Sequence, residues 1–385
     1  MKEVFELEDT YEIRSYKRMP LALSSGKGCY VFTEEGHKYL DLYGGHAVVG
    51  VGHCHPHVVS ALKEQISELM FYSNVVFSRV RGLAAKALAD MMPEGLKHSF
   101  FVNSGAEANE NAIKMARMVG KKRGILSFHG GFHGRTAAAA AATGIEKVRE
   151  SVQPVLSDHC YADFGDIDSV ARILDEKEIA GVILEPIQSM AGVVTAQEPF
   201  LRALRELCDK HNSFLIYDEI QTGIGRVGDF SFAGRFGILP DMVTFGKSLA
   251  SGVPMGAVVV SSEIASKITV GDLGTTFGGN PIAARALLAT IEVIKSENLL
   301  KNVREVSSEM KLTLSEFDCV EEVRGDGFLI GIKFKDKLAA EVQSFFLGKN
   351  IITGTSGHEN VLRLLPPLCL KDELSQMYEA MTLLS

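Results

Sequence analysis

Short apolar runs recur along this chain, and stretches with helical spacing follow them. Phe100 to Val102, Gly124 to Phe128, Val182 to Leu184, Phe214 to Tyr217, Met242 to Phe245 and Ala257 to Val260 are largely apolar on both alternating faces. A strand with two apolar faces must be covered on both, which predicts an α/β fold with a mainly parallel sheet between helices. From Pro199 to Lys210 the residues Phe200, Leu201, Leu204, Leu207 and Cys208 share one helical face, with proline in the first turn. Pro281 opens another helix running to about Ser296, with Asn280 as its cap. Pro56 opens a third, through Val58, Val59, Leu62 and Ile66.

The chain has 385 residues, 46% of them hydrophobic, enough for a large core and too many for one compact unit, so two domains are expected. There are no repeats, low-complexity tails or Pro/Gly/Ser linkers. Net charge is −8 without a lysine-arginine run, which argues against a nucleic-acid partner. The acidic start, Met1 to Asp9, lacks an apolar signal core, and the alanine run 137–142 is far short of the roughly 20 residues that span a bilayer. Six cysteines, none in Cys-x-x-Cys spacing, point to a reducing cytoplasm.

Candidate chemistry gathers at the ends of the apolar runs. Asp218 closes the run Phe214 to Tyr217, and Lys247 follows Met242 to Phe245. A lysine for a Schiff base and a carboxylate facing a ring nitrogen are what pyridoxal phosphate requires, and ligands of α/β sheets bind beyond the carboxyl ends of strands. Asn103-Ser104-Gly105-Ala106-Glu107-Ala108-Asn109 follows another run; Ser104 and Glu107 have capping-box spacing, and the free amides of a helix start attract a phosphate. In Phe128-His129-Gly130-Gly131-Phe132-His133-Gly134-Arg135-Thr136, Phe132 is suited to cover a flat ring and Arg135 to grip a carboxylate.

Three other patterns lead elsewhere. Gly223-Ile224-Gly225-Arg226-Val227-Gly228 fits the dinucleotide fingerprint, but no helical periodicity follows from Asp229 to Pro240. His53, Cys54, His55 and His57 resemble metal ligands, yet Pro56 makes this a helix start and no second cluster completes a site, so no metal is expected. Asp218 and Glu219, as strand neighbours, face opposite ways and do not share a hydrolytic centre.

From about Gly26 onward the chain resembles the class III aminotransferases of fold type I, in their acetylornithine and ornithine branch. The resemblance rests on Gly26-Lys27-Gly28, Tyr39-Leu40-Asp41, Gly52-His53-Cys54-His55-Pro56, Asn103 to Glu110, Phe132 to Thr136, Glu185-Pro186-Ile187-Gln188, Asp218 to Gly223, Gly246-Lys247, Thr275 to Pro281 and Val361 to Pro367. It implies a fold type I pyridoxal-phosphate enzyme with a large cofactor-binding domain, 46–284, and a small α+β domain built from 1–45 and 285–385. It assigns Lys247 to the Schiff base, Asp218 to the pyridine nitrogen and Gln221 to the ring hydroxyl. Phe132 stacks on the ring, and Ser104 with the amides of Gly105 and Ala106 holds the phosphate. Thr276 reaches the partner subunit's cofactor in a homodimer, Arg135 and Arg363 bind carboxylates, and Glu185 belongs to the substrate pocket.

The implied reaction is ping-pong transfer of the terminal amine of an N-acylated ornithine, N-acetylornithine foremost, to 2-oxoglutarate in arginine biosynthesis. Succinylornithine, carrier-linked lysine, ornithine and 4-aminobutyrate are rival donors; a racemase, an aminomutase or a non-enzymatic binding protein is a more distant reading. Two positions depart from the family pattern. His46 stands where relatives place an aromatic or aliphatic residue, so it is expected to line the pocket entrance. Met190 replaces a glutamate that pairs with the arginine at position 363 in ornithine-type relatives, so Arg363 is expected to stay unpaired and Met190 to face it.

Overall fold

The six expected strands lie side by side with a seventh in one sheet. In a computed structural model describing residues 2–152 and 158–384, the order is Leu96–Val102, Gly256–Ser261, Met242–Phe245, Phe214–Asp218, Ile179–Leu184, Gly124–Phe128 and His159–Ala162. Gly256–Ser261 is antiparallel to both neighbours and the remaining pairs are parallel. Every residue of Ile179–Leu184 and Met242–Phe245 is buried, as strands covered on both faces must be. His159–Ala162 escaped the hydrophobic reading because it is an edge strand, fully buried only at Ala162 and carrying polar His159 and Tyr161.

The predicted helix starts are present. Glu198–Lys210 and Pro281–Ser296 carry proline in the first turn, and the Asn280 side chain accepts from Ala283 N at 3.0 Å. Pro56–Glu68 begins where expected. At Gly105–Gly120 the Ser104 hydroxyl accepts from Glu107 N at 3.1 Å, but the Glu107 carboxylate reaches Asn103 N, at 2.8 Å, in place of the cap residue's own amide. The reciprocal half of the capping box is displaced by one residue, because the Asn103 side chain also donates to that carboxylate, at 2.9 Å. After Gly228 come turns and the short 3-10 segment Arg235–Gly237, so the glycine fingerprint opens no helix.

Two smaller sheets flank this core. Leu23–Lys27, Tyr30–Thr33 and Lys38–Asp41 form an antiparallel meander, and Ile351–Ile352 joins it parallel to Lys38–Asp41, so both ends of the chain meet in one sheet. Val320–Asp326, Leu329–Phe334, Val361–Leu364 and Gly354–Thr355 form the other. Among the described residues no helix is long and apolar enough to cross a membrane.

The meander ends in a strained turn. Gly44, Gly45, His46 and Ala47 have φ of 56°, 56°, 70° and 61°, a left-handed turn that costs an L-residue about 1–2 kcal/mol each time. Glycine removes that cost at two positions, and Asp41 anchors the start of the turn: its carboxylate accepts from Tyr43 N, Gly44 N and Gly45 N at 2.9, 2.8 and 3.1 Å and bonds His53 Nε2 at 2.8 Å. Asp41→Ala leaves these amides without their acceptor and should lower unfolding free energy by about 3 kcal/mol or more in urea titration. An unchanged midpoint would show that the turn does not depend on Asp41.

Candidate active site

The carboxyl ends of Phe214–Asp218 and Met242–Phe245 lie in register, Asp218 beside Thr244. Asn109, on the buried face of Gly105–Gly120, joins them: its amide donates to Asp218 Oδ2 at 2.7 Å and to His133 O at 2.7 Å, and its carbonyl accepts from Thr244 Oγ1 at 2.7 Å. His133 Nδ1 lies 2.7 Å from the same Asp218 oxygen, so it carries the proton and donates, while its buried Nε2 has no partner. Ile220 N donates to Asp218 Oδ1 at 3.1 Å. The aspartate is thus held in one orientation from three separate segments. Glu219 points away and accepts from Ser231 Oγ, Phe232 N and Ala233 N, in an apolar setting that pushes its carboxyl up to about 7.

Lys247 follows Gly246, whose missing side chain lets Gly105 approach: a Cβ there would meet Gly105 Cα and N at 3.1 Å. The close approach brings the first amides of Gly105–Gly120 beside the lysine. Ser248 continues the contact, donating to Ala47 O at 2.6 Å, so the left-handed turn docks on the lysine segment. Loss of hydration pulls the half-buried Lys247 ammonium below the ordinary lysine range; Asp218 and Glu185 pull it back up and Arg363 pushes it further down. Glu185 accepts from Phe132 N at 2.8 Å, and burial pushes its carboxyl up to about 7 against the opposing pull of His133.

The other expected residues divide into two groups. Ser104, Gly105, Phe132, Glu185, Asp218, Gln221 and Lys247 gather at this sheet edge; Gln221 is buried in the turn after Asp218, and its amide has no partner among the described residues. Arg135 is exposed, its guanidinium 5.6 Å from the centre of the Phe132 ring. Arg363 comes from the smaller sheet and is buried. It donates to Thr355 O at 2.6 Å, Ser189 Oγ at 2.9 Å and Tyr43 Oη at 3.3 Å, with no ion pair among the described residues. Tyr43 Oη in turn lies 2.7 Å from His46 Nδ1. His46 opens toward the cleft, yet lost hydration, followed by the Lys247 and Arg363 charges, holds its imidazole down to about 4. It is therefore neutral at physiological pH.

Around the expected positions, Ser189 accepts from Arg363, and the backbone oxygen of Met190 accepts from Gly357 N at 2.7 Å. Thr276 is exposed on a loop and makes no hydrogen bond among the described residues; its neighbour Thr275 accepts from Asn103 Nδ2 at 3.3 Å. The histidines near Pro56 go to separate carboxylates, His53 to Asp41, His55 to Glu297 and His57 to Glu292. Sequence reasoning gave no role to Asn109, His133, Tyr43 or Ser189. Asn109 alone left a signal, as a polar residue among Ala108, Ala112 and Ile113 on the inner helix face.

The family model of the class-III aminotransferases matches residues 11–384. This chain belongs to that family. Among its relatives, the acetylornithine aminotransferase of Methanopyrus kandleri is 41% identical over 96% of this chain and 96% of that protein. The acetylornithine aminotransferase of Archaeoglobus fulgidus is 40% identical over 98% of each. In three dimensions this class-III aminotransferase is similar to the ornithine aminotransferase of Toxoplasma gondii, with TM-score 0.93, 27% identity and coverage of 100% and 95% of the two chains. Its fold is fold type I, and it is a pyridoxal-phosphate enzyme.

The residues fit that cofactor. A buried, oriented carboxylate, a lysine with lowered proton affinity, a helix start with free amides and the Gln221 amide, without a partner among the described residues, converge on one sheet edge. The raised Glu185 value gives a test. Folding raises its proton affinity, so its stabilising contribution is complete below about pH 4.5 and is lost as pH rises through about 7. In cofactor-free protein, the unfolding free energy of wild type relative to Glu185→Gln should fall by about 1–3 kcal/mol across that window, at about 1.4 kcal/mol per pH unit. A difference that stays flat in urea titrations at several pH values would mean that Glu185 is well hydrated.

Proposed function

We propose that this enzyme transfers the terminal amine of an N-acylated ornithine, N-acetylornithine foremost, to 2-oxoglutarate, the step used in arginine biosynthesis. The observation that carries the reading is Arg363, a buried cation with hydroxyl and carbonyl partners and no carboxylate. A desolvated guanidinium without a counter-ion is poised for a substrate carboxylate. The names of relatives near 40% identity support the donor.

Pyridoxal phosphate, when bound, supplies the electron sink for bond changes at the carbon bearing the amine. Lys247 would carry it covalently, Asp218 would face its ring nitrogen and Gln221 its hydroxyl. Ser104 with the Gly105 and Ala106 amides would hold its phosphate, and Phe132 would cover its ring. Lys247 Nζ would take the proton from the substrate carbon, and its lowered proton affinity keeps it able to act as a base. Arg363 binds the α-carboxylate of glutamate and 2-oxoglutarate, and exposed Arg135 the distal carboxylate. Glu185 lines the substrate pocket, and His46 at its entrance meets the acyl end of the donor.

The functional unit in this reading is a cytoplasmic homodimer. Phe71 and Phe277 are exposed with ring centres 5.1 Å apart, and Val75, Phe77 and Val270 are exposed as well, apolar side chains that a partner surface would cover; Thr276 beside Phe277 would reach the partner's cofactor. The division into 46–284 and the flanking 1–45 and 285–385 belongs to the same proposal. Pro281–Ser296 would be its joint, since it packs on Pro56–Glu68 and Arg79–Ala89.

Steady-state assay of acetylornithine, succinylornithine, ornithine and 4-aminobutyrate side by side tests the donor. An acylornithine should lead the free amino acids by about tenfold or more in kcat/KM; preference for ornithine or 4-aminobutyrate would overturn the assignment. Met190→Glu brings a carboxylate next to Ser189 and hence near Arg363. Single-turnover rates with 2-oxoglutarate should drop while the acylornithine half-reaction changes less; equal rates in both variants would mean that this side chain points away from the arginine.

A further inference from the structure

Two of the six cysteines meet across the fold. Cys29 Sγ lies 3.7 Å from Cys369 Sγ, the former buried and the latter half-exposed. Cys29 sits in the turn between Leu23–Lys27 and Tyr30–Thr33, and its carbonyl accepts from Asp41 N at 2.8 Å. Asp41 caps the left-handed turn that carries His46. Cys369 lies six positions after Arg363, in a segment fixed by Leu365 N to Leu42 O, Leu368 N to Gly50 O, and Asn302 Nδ2 to Leu368 O, each at 2.7 Å. The two sulfurs therefore join the segment presenting Tyr43 and His46 to the segment following Arg363.

We propose that Cys29 and Cys369 form a thiol modification site, which a small disulfide of the glutathione type oxidises to an intramolecular disulfide, and that its closure weakens dicarboxylate capture at Arg363. The second half rests on the substrate-binding role proposed for Arg363; the first does not. Cys369 is the attacking thiol, because it is reachable and a hydrogen bond from the Cys29 thiol favours its thiolate. Its sulfur attacks one sulfur of the external disulfide and expels a thiolate, leaving a mixed disulfide. The Cys29 sulfur then attacks Cys369 Sγ and expels the second thiol. Two protein thiols are oxidised, one external disulfide is reduced to two thiols, and the thiol protons pass to the expelled thiolates.

Closure shortens the sulfur contact from 3.7 Å to about 2.05 Å. Bonds from Asp41 N to Cys29 O and from Leu368 N to Gly50 O hold the two backbones, so the displacement that side-chain rotation does not absorb passes to the Asp41-capped turn on one side and to the Pro366-Pro367 segment on the other. Arg363 and Tyr43 are hydrogen-bonded across that seam at 3.3 Å. Shifts of this order at a positioned binding group cost up to about 100-fold in reactivity.

The experiment treats holoenzyme with oxidised glutathione, blocks remaining thiols by alkylation, and reads intact mass and peptide maps. Wild type should lose two hydrogens and yield a Cys29–Cys369 cross-linked peptide that dithiothreitol reverses. Cys29→Ser should instead retain glutathione on Cys369, and Cys369→Ser should leave buried Cys29 unmodified. Exposed Cys54 serves as the internal control for reactivity. Glutathione persisting on Cys369 of wild type, or modification of Cys54 without the cross-link, overturns the site. Given the cross-link, KM for 2-oxoglutarate should rise about tenfold or more while cofactor affinity, read from its absorbance during dialysis, stays within about twofold. An unchanged KM overturns the coupling to Arg363, and a parallel loss of cofactor would show general loosening instead. The mass readings need no substrate, so failure of the site is distinguishable from failure of the functional reading.

Discussion

A single buried carboxylate organises this molecule. Asp218 stands at the end of a strand, bound by an asparagine from one helix, a histidine from a glycine-rich loop and the amide of the following turn. A buried polar cluster is stable only when nearly every group is satisfied, and a partly satisfied one is worse than an apolar core. The helix, the loop and two strand ends therefore cannot shift independently. Small residues at Gly105 and Gly246 follow from the same convergence, because the helix start must lie against the lysine segment.

Around this rigid centre the specificity elements hang from a different support. Arg363 belongs to a separate sheet, and Tyr43 with His46 to the meander that both chain ends share. What aligns them is hydroxyl chemistry. Ser189 and Tyr43 orient the guanidinium without neutralising it, and the Tyr43 hydroxyl shares a hydrogen bond with a neutral imidazole. In the proposed reading, cofactor chemistry and substrate selection would rest on separate networks that touch where Ser248 bonds Ala47.

The sheet was legible in sequence because its inner strands are apolar on both faces, a pattern that helices do not need at such short length. Helix starts were legible because proline and capping asparagine or serine act locally. His159–Ala162 was not, since an edge strand with one covered face carries no continuous apolar run. Individual residues of the candidate site could be placed by motif, but their partners could not. The bonds from Asn109 to Asp218 and from Ser189 to Arg363 join positions more than a hundred residues apart, and nothing local encodes them. Which side chains bond Arg363 was invisible for the same reason, since Ser189 and Tyr43 reach it from segments far away in sequence.

Charge at the cleft bears on why an acylated donor suits the proposed reaction. Lost hydration, reinforced by the Lys247 and Arg363 charges, holds His46 neutral, and the nearest carboxyl groups are already committed: Asp218 to Asn109 and His133, and Glu185 to Phe132 N with its proton affinity raised. A free amino acid donor would bring an extra ammonium group into this field without an acidic partner at the entrance, and burying such a charge unpaired is costly. Acylation turns that ammonium into an amide, which needs only the hydrogen-bonding capacity that a neutral imidazole and a phenol provide. Discrimination would then come from rejecting an uncompensated charge more than from gripping the acyl group, so acyl chains of different length should be separated far less sharply than acylated from free donors.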